Sequence, residues 1–283
     1  MSDASPNSAI FLWRRLVPTH ALDVWLERIS WVGLEKCVSR ELPGKKRASL
    51  EVYCSSEKEA IKLKANYGGE FRRLKKATWQ ASQKPTFFLP IPPHCCIVAP
   101  GVKIPDRYTS LPRIELPAGM AFGTGDHPTT AMCLRQLLQR LGNERKRVLD
   151  MGTGSGILAL AAALRGHEVV AVDNDPESIR EAHKNAKRNP RIPKIEWKLG
   201  RAESLDTRAK FDVVVANLFL SILTAALPRF RKVLKTQGTL ILSGVLHEQE
   251  AEILATLQRN GFRLLKRLKK GKWLCLVADR GVS

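Results

Sequence analysis

The residues most able to do chemistry lie between Asp150 and Asp173. The stretch Asp150-Met151-Gly152-Thr153-Gly154-Ser155-Gly156 sets three alternate glycines behind an acid, and the apolar run Val169-Val170-Ala171-Val172 ends on a second acid, Asp173. Glycine lets backbone approach a ligand where a Cβ would collide. An acid at a strand end can accept hydrogen bonds from ribose hydroxyls. A bare glycine turn could equally serve only to pack a helix on a strand. The two flanking acids are what point to a nucleotide-type ligand.

These residues need rigid elements to hold them. Val148-Leu149 opens a short buried strand, and Ile157-Leu158-Ala159-Leu160 begins an Ala/Leu-rich helix. With the next apolar run this forms half of an open parallel sheet, with its site at the carboxyl ends of the strands. Asp175 can cap a helix with Pro176 in its first turn, running to about Asn189. Strands are expected at Ile195 to Leu199, Phe211 to Ala216 and Thr239 to Ser243, with a turn at Gly238. Helices are expected at Ser221 to Leu234 and His247 to Asn260, the second closed by Gly261. Phe262 to Leu268 and Trp273 to Asp279 flank Lys269-Lys270-Gly271-Lys272 as a hairpin.

The chain has 283 residues, 44% hydrophobic and 26% charged, as in ordinary globular proteins. That length suggests about two domains. No apolar run reaches the roughly 18 to 20 residues of a spanning helix, and the start lacks a basic segment followed by an apolar core. A cytoplasmic protein without membrane contact is expected. The six cysteines have no Cys-x-x-Cys spacing and no His partners at metal-ligand spacing, so they read as reduced core filler. No metal site is expected.

The net charge is +20. Residues 1–80 carry 15 basic against 9 acidic side chains, and residues 258–283 carry 8 against 1. Such a surface attracts polyanions. Contact with ribosomal RNA and a plain solvated basic face both remain open, since no aromatic-interleaved RNA motif is visible.

Residues 1–8 read as a disordered start. Strands at Ile10 to Val17, Leu34 to Ser39, Ala48 to Cys54 and Glu70 to Lys75 alternate with helices at Thr19 to Trp31, with Thr19 as cap, and after Ser55-Ser56-Glu57. A turn at Pro43-Gly44-Lys45-Lys46 separates the second and third strands. This β-α-β-β-α-β order is the ferredoxin-like pattern and defines a small α+β domain over 1–76, suited to recognising a substrate. Eight prolines from Pro85 to Pro117 exclude helix over much of 77–118. That segment reads as a linker and lead-in, with short strands at Phe87-Phe88-Leu89 and Cys96-Ile97-Val98. The second domain is expected over 119–283. Its glycine-rich loop Phe122-Gly123-Thr124-Gly125 feeds a helix N-terminus at Pro128 and can fold over the ligand mouth.

The Gly-x-Gly-x-Gly spacing resembles the S-adenosylmethionine site of Rossmann-like methyltransferases, whose ligand carries no pyrophosphate. Ala121-Phe122-Gly123-Thr124-Gly125-x-His127-Pro128-Thr129-Thr130 resembles the signature of the ribosomal protein L-eleven methyltransferases. Asp150-x-Gly152-x-Gly154-Ser155-Gly156-Ile157-Leu158, Val213-Val214-Val215-Ala216-Asn217-Leu218 and Leu242-Ser243-Gly244-Val245-Leu246 match it too. Departures fall at Pro117-Ala118-Gly119, at Asp126, at Leu218-Phe219-Leu220 and in the linker's tryptophan pattern, near the expected substrate entrance and linker.

The resemblance implies an α/β, Rossmann-like seven-stranded methyltransferase domain behind the ferredoxin-like one. It implies transfer of methyl groups from S-adenosylmethionine to lysine side chains and the N-terminal amine of that ribosomal protein. Thr130, Gly152, Gly154, Asp173 and Asn217, with Phe122, Gly123 and Thr124, would hold the cofactor. Asn217 would direct the nucleophile, and Gly200-Arg201-Ala202-Glu203 would meet the adenine. His127 reads as a proton acceptor or a structural histidine, and Asp150 as a brace for the turn. No general base is assigned. A methyltransferase of the same branch with another protein substrate, or a basic RNA-associated factor, are the alternatives.

Overall fold

A computed structural model describes residues 9–32, 36–42, 46–54, 56–75, 87–117 and 127–281. The expected disordered start, most of the turn at 43–46 and the glycine loop at 119–126 lie outside the described residues. The chain divides into two compact units, Met1–Lys84 and Pro85–Ser283.

In the first unit the elements are β1 (Ala9–Pro18), α1 (Leu22–Arg28), β2 (Cys37–Glu41), β3 (Arg47–Cys54), α2 (Glu57–Tyr67) and β4 (Glu70–Lys75). The strands form one antiparallel sheet in the order β2-β3-β1-β4. Alternate residues of β3 point inward: Ala48, Leu50 and Val52 join Trp13, Val17, Ile29, Ala60 and Leu63 in one core. Ser56 caps α2, accepting from Glu59 N at 3.3 Å. Thr19 does not cap α1, because a 3₁₀ turn over Thr19–Ala21 comes first and carries no side-chain cap bond.

The second unit begins with β5 (Phe88–Ile91), β6 (Cys95–Val98) and β7 (Arg113–Glu115), a three-stranded sheet. The linker expected over 77–118 is therefore largely folded. The prolines bar helix, but Phe87, Ile91, Ile97, Ile114 and Leu116 between them are buried in the main core. Two hydrogen bonds fix the end of this segment: Glu115 N donates to Asn189 Oδ1 at 2.8 Å, and Asn189 Nδ2 donates to Glu115 O at 2.9 Å.

The elements α3 (Pro128–Leu141), β8 (Arg147–Met151), α4 (Ile157–Leu164), β9 (Glu168–Asp173), α5 (Pro176–Arg188), β10 (Glu196–Leu199), β11 (Phe211–Asn217), α6 (Leu220–Val233), β12 (Leu234–Leu246), α7 (Glu250–Arg259), β13 (Phe262–Lys270) and β14 (Trp273–Arg280) follow. The seven strands order as β10-β9-β8-β11-β12-β14-β13. β10 to β12 run parallel, and β14 and β13 close the sheet antiparallel. This is the seven-stranded Rossmann-like arrangement expected. The central strands are mostly apolar between their ends, with the buried Asp150 as an exception, because helices cover both faces. Val148, Val169 and Val213 face the core built by α3 and α4, while Leu149, Val170 and Val214 face that of α6 and α7. The turn expected at Gly238 is an excursion within β12: pairing with β11 jumps from Leu234 to Thr239, and Gln237 takes φ 64°.

Candidate active site

β8 lies where the order of the parallel strands reverses, with β9 on one side and β11 on the other. Ligands of open α/β sheets bind at the carboxyl ends of strands flanking such a point. Three strands deliver the expected residues to this edge. Met151 pairs with Val172 on one side and with Ala216 on the other, so Gly152, Asp173 and Asn217 each come next at one level.

On the β9 side the backbone folds into a locked turn. Gly152 N and Thr153 N both donate to Val172 O, at 2.8 and 3.1 Å. Gly154 N donates to Asp173 Oδ2 at 2.8 Å, and Asp175 N donates to Asp173 Oδ1 at 3.0 Å. Gly152, Gly154 and Gly156 have φ of 75°, 53° and 82°, which explains their alternation: each sits in the left-handed region. A Cβ on Gly156 would lie 3.1 Å from Ala182 and from Trp197. A Cβ on Gly152 would meet Leu218 Cδ2 at 2.4 Å. The space Gly152 leaves thus takes a side chain from the β11 side.

Asp150 lies beneath the turn, fully buried. Its Oδ2 accepts from Thr153 Oγ1 at 2.6 Å and from Ala159 N at 3.1 Å, tying turn to helix. Burial pushes its carboxyl up to about 7, against the pull of those two bonds. The brace suggested by sequence is what its contacts show. Gly200 N donates to Asp173 O at 2.8 Å, which brings the segment expected to meet the adenine beside Asp173.

The β11 side differs. Asn217 Nδ2 donates to Thr130 Oγ1 at 3.3 Å, across 87 positions of sequence. Thr130 is buried in the first turn of α3. Asn217 Oδ1 is buried and has no hydrogen-bond partner among the described residues. The next peptide is held too: Leu218 N donates to Ser243 O at 3.0 Å, and Gly244 lies so close that a Cβ would stand 2.3 Å from Leu218 O. Beyond Leu218 opens a pocket of about 280 Å³, lined among others by Phe219, Leu246, Gln249, Glu252 and Trp273. Phe219 is 66% exposed.

His127 precedes α3. Its Nδ1 lies 2.6 Å from Thr129 Oγ1, and its ring packs edge-on against Trp273 at 4.9 Å. Burial, then the Lys272 ammonium, hold its pKa below the ordinary histidine range, so the imidazole is neutral at pH 7. Those contacts suit the structural reading of His127.

Of the expected site residues, the structure joins Thr130 to Asn217, and Gly152 and Gly154 to the end of β9 with Asp173. Phe122, Gly123 and Thr124 lie outside the described residues. Sequence reasoning noted Leu218 and Phe219 only as departures from the family pattern near the expected substrate entrance, and passed over Trp273. The available signal was an aromatic two residues beyond a strand-end asparagine.

A family model described as Ribosomal protein L11 methyltransferase (PrmA) matches residues 38–281. The chain belongs to this family. A ribosomal protein L11 methyltransferase of Chloroflexus aurantiacus is 39% identical over 189 residues, covering 58% of this chain and 57% of the relative. That of Dictyoglomus turgidum is 37% identical over 212 residues, covering 74% of this chain and 69% of the relative. That of Desulforapulum autotrophicum is 35% identical over 246 residues, covering 86% and 80%. The match thus spans little more than half of the first relative's length. A crystal structure of ribosomal protein L11 methylase from Lactobacillus delbrueckii subsp. bulgaricus superposes with a TM-score of 0.63 at 31% identity, covering 69% of this chain and 99% of that one.

Proposed function

We propose that this chain transfers methyl groups from S-adenosylmethionine to lysine side-chain amines and the N-terminal amine of ribosomal protein L11. The observation that carries the proposal is the buried Oδ1 of Asn217, without a partner among the described residues, at a strand end level with Asp173. Family membership supplies the substrate and the cofactor. The module at 1–76 recognises the protein substrate, and the cytoplasm is the place of action.

The site fits the cofactor. Each Asp173 oxygen accepts one backbone N–H and keeps lone-pair capacity for a ribose hydroxyl. When bound, S-adenosylmethionine supplies a methyl group on a sulfonium that leaves as a neutral thioether. The chain's own task is therefore positioning. Asn217 Oδ1 accepts an N–H of the incoming amine and aims its lone pair at the methyl carbon. The bond to Thr130 keeps Nδ2 turned away, so the amide presents its oxygen.

The new N–C bond forms as the S–CH₃ bond breaks, and the product ammonium then loses a proton to solvent. Lysine amines ordinarily ionise near 10.4 and α-amines near 8. Removal from water disfavours the ammonium and delivers the neutral nucleophile. The pocket walled by Phe219, Leu246 and Trp273 suits the aliphatic stem of such a side chain.

Calorimetric titration of the full chain with S-adenosylmethionine tests the cofactor assignment. Saturable binding, weakened in Asp173→Ala, is expected. No binding heat up to about 1 mM ligand, the limit of weak recognition, would sink it.

A further inference from the structure

We propose that one end of the first unit is a binding site for single-stranded RNA, built on Arg15, Trp25 and Arg28. This goes beyond methyl transfer and does not depend on it. The Arg15 guanidinium lies 4.4 Å from the centre of the Trp25 ring, and that of Arg28 lies 5.3 Å from it. Tyr67 meets Trp25 edge-on at 6.0 Å, and its hydroxyl donates to Arg28 O at 3.1 Å. A Cβ at Gly68 would stand 3.1 Å from Arg15 Nη1, so the glycine leaves room for the guanidinium. These residues, with Asn66, line an open groove of about 730 Å³.

Three features select the ligand. First, among the described residues no carboxylate lines the groove and neither Arg15 nor Arg28 makes an ion pair. Their neighbour Arg14 does, with Glu51 at 3.6 Å. Second, a guanidinium stacked on an aromatic ring keeps its in-plane N–H donors at the edge, where phosphate oxygens can take them in pairs. Third, planar guanidinium and aromatic faces stack on unpaired bases, which single strands offer and duplexes do not. An acidic peptide would satisfy the charge but not the stacking planes. No sequence motif shows this cluster, because Arg15, Trp25, Arg28 and Tyr67 come from β1, α1 and α2 and meet only in the fold.

Fluorescence anisotropy with a labelled single-stranded RNA of about 12 nucleotides tests the site on the full chain over a salt series. Arg15→Gln/Arg28→Gln is compared with Lys266→Gln/Lys269→Gln, which removes the same charge from exposed positions of β13. The first pair should weaken binding at least about tenfold and flatten the salt slope by about 1.4, as for two lost phosphate contacts on a single strand. The second pair should change little. Arg15→Lys/Arg28→Lys, a milder change for the fold, should keep the slope and lose affinity through lost stacking. Equal losses from both glutamine pairs would overturn the site in favour of diffuse charge. So would no RNA binding, full affinity in the lysine pair, or a poly-glutamate peptide that binds more tightly than RNA.

Discussion

The two sides of the sheet edge are built on opposite terms. On the β9 side the polar groups are spent on structure: both Asp173 oxygens accept backbone N–H groups, and the glycine turn hangs from Val172 O. On the β11 side Asn217 Oδ1 is buried without a partner among the described residues, as are Asp150 Oδ1 beneath the turn and Asn185 Oδ1 beside Ser155, but of these three only Asn217 ends a strand at the sheet edge. An unmet buried acceptor costs stability, by about 1–3 kcal/mol. In the proposed mechanism the β9 side seats the cofactor and the β11 side meets the reacting amine. Leu218 joins them, its side chain against Gly152 and its backbone against Gly244.

The comparison breaks first at Asn217. Asn217→Ala should lower kcat at saturating cofactor by about 10²–10³-fold, the usual cost of one preorganised polar contact to a reacting group. Cofactor affinity measured by calorimetry should move less than about tenfold. A kcat near wild type would remove Asn217 from the reaction.

Asp173→Ala should show the reverse pattern. Its cofactor Kd should rise by about 10- to 150-fold, the worth of charge-assisted hydrogen bonds, with much of kcat regained at saturation. The ligand-free melting temperature should also fall, since Gly154 N and Asp175 N lose their acceptor. Unchanged affinity would remove the ribose from this carboxylate.

Thr130→Val sharpens the same contrast by freeing the Asn217 amide while keeping volume. One net hydrogen bond is worth about 1 kcal/mol, or about fivefold in kcat. A loss confined to KM would instead assign Thr130 to substrate binding.

The smallest effect is the pH signature of the brace. Asp150 ionises near 7 in the folded chain and at 3.8 in its ordinary state. Between those values the folded state holds the extra proton, so this group's contribution favours folding at low pH and is lost as pH rises through about 7. Asp150→Asn should remove that component. Denaturant titrations at pH 5 and pH 8 should show the wild type gaining on the variant toward the lower pH. A constant difference would mean that burial does not hold the proton.

The sheet and the seat were legible in the sequence because they rest on local signals. Apolar runs, alternate glycines and a strand-end acid mark β8, the turn and β9 within 26 residues, from Val148 to Asp173. Asn217 was legible as the end of an apolar run. Its partner was not, since Thr130 lies 87 residues earlier and only the fold brings the two together. The site role of Leu218 was missed for a different reason: that role comes from two glycines, one 66 residues before the leucine and one 26 after it. The clamp between Glu115 and Asn189 explains why prolines alone misled: they report what backbone cannot do, not whether the residues between them are buried.

The most direct test is intact-mass spectrometry of purified ribosomal protein L11 after incubation with this chain and S-adenosylmethionine. Mass gains in methyl steps are predicted, absent with Asn217→Ala on the same timescale and restored in part with Asp173→Ala at high cofactor. No gain from the wild-type chain, with cofactor binding intact, would contradict L11 as the substrate. Equal gains from Asn217→Ala would contradict the division of the site.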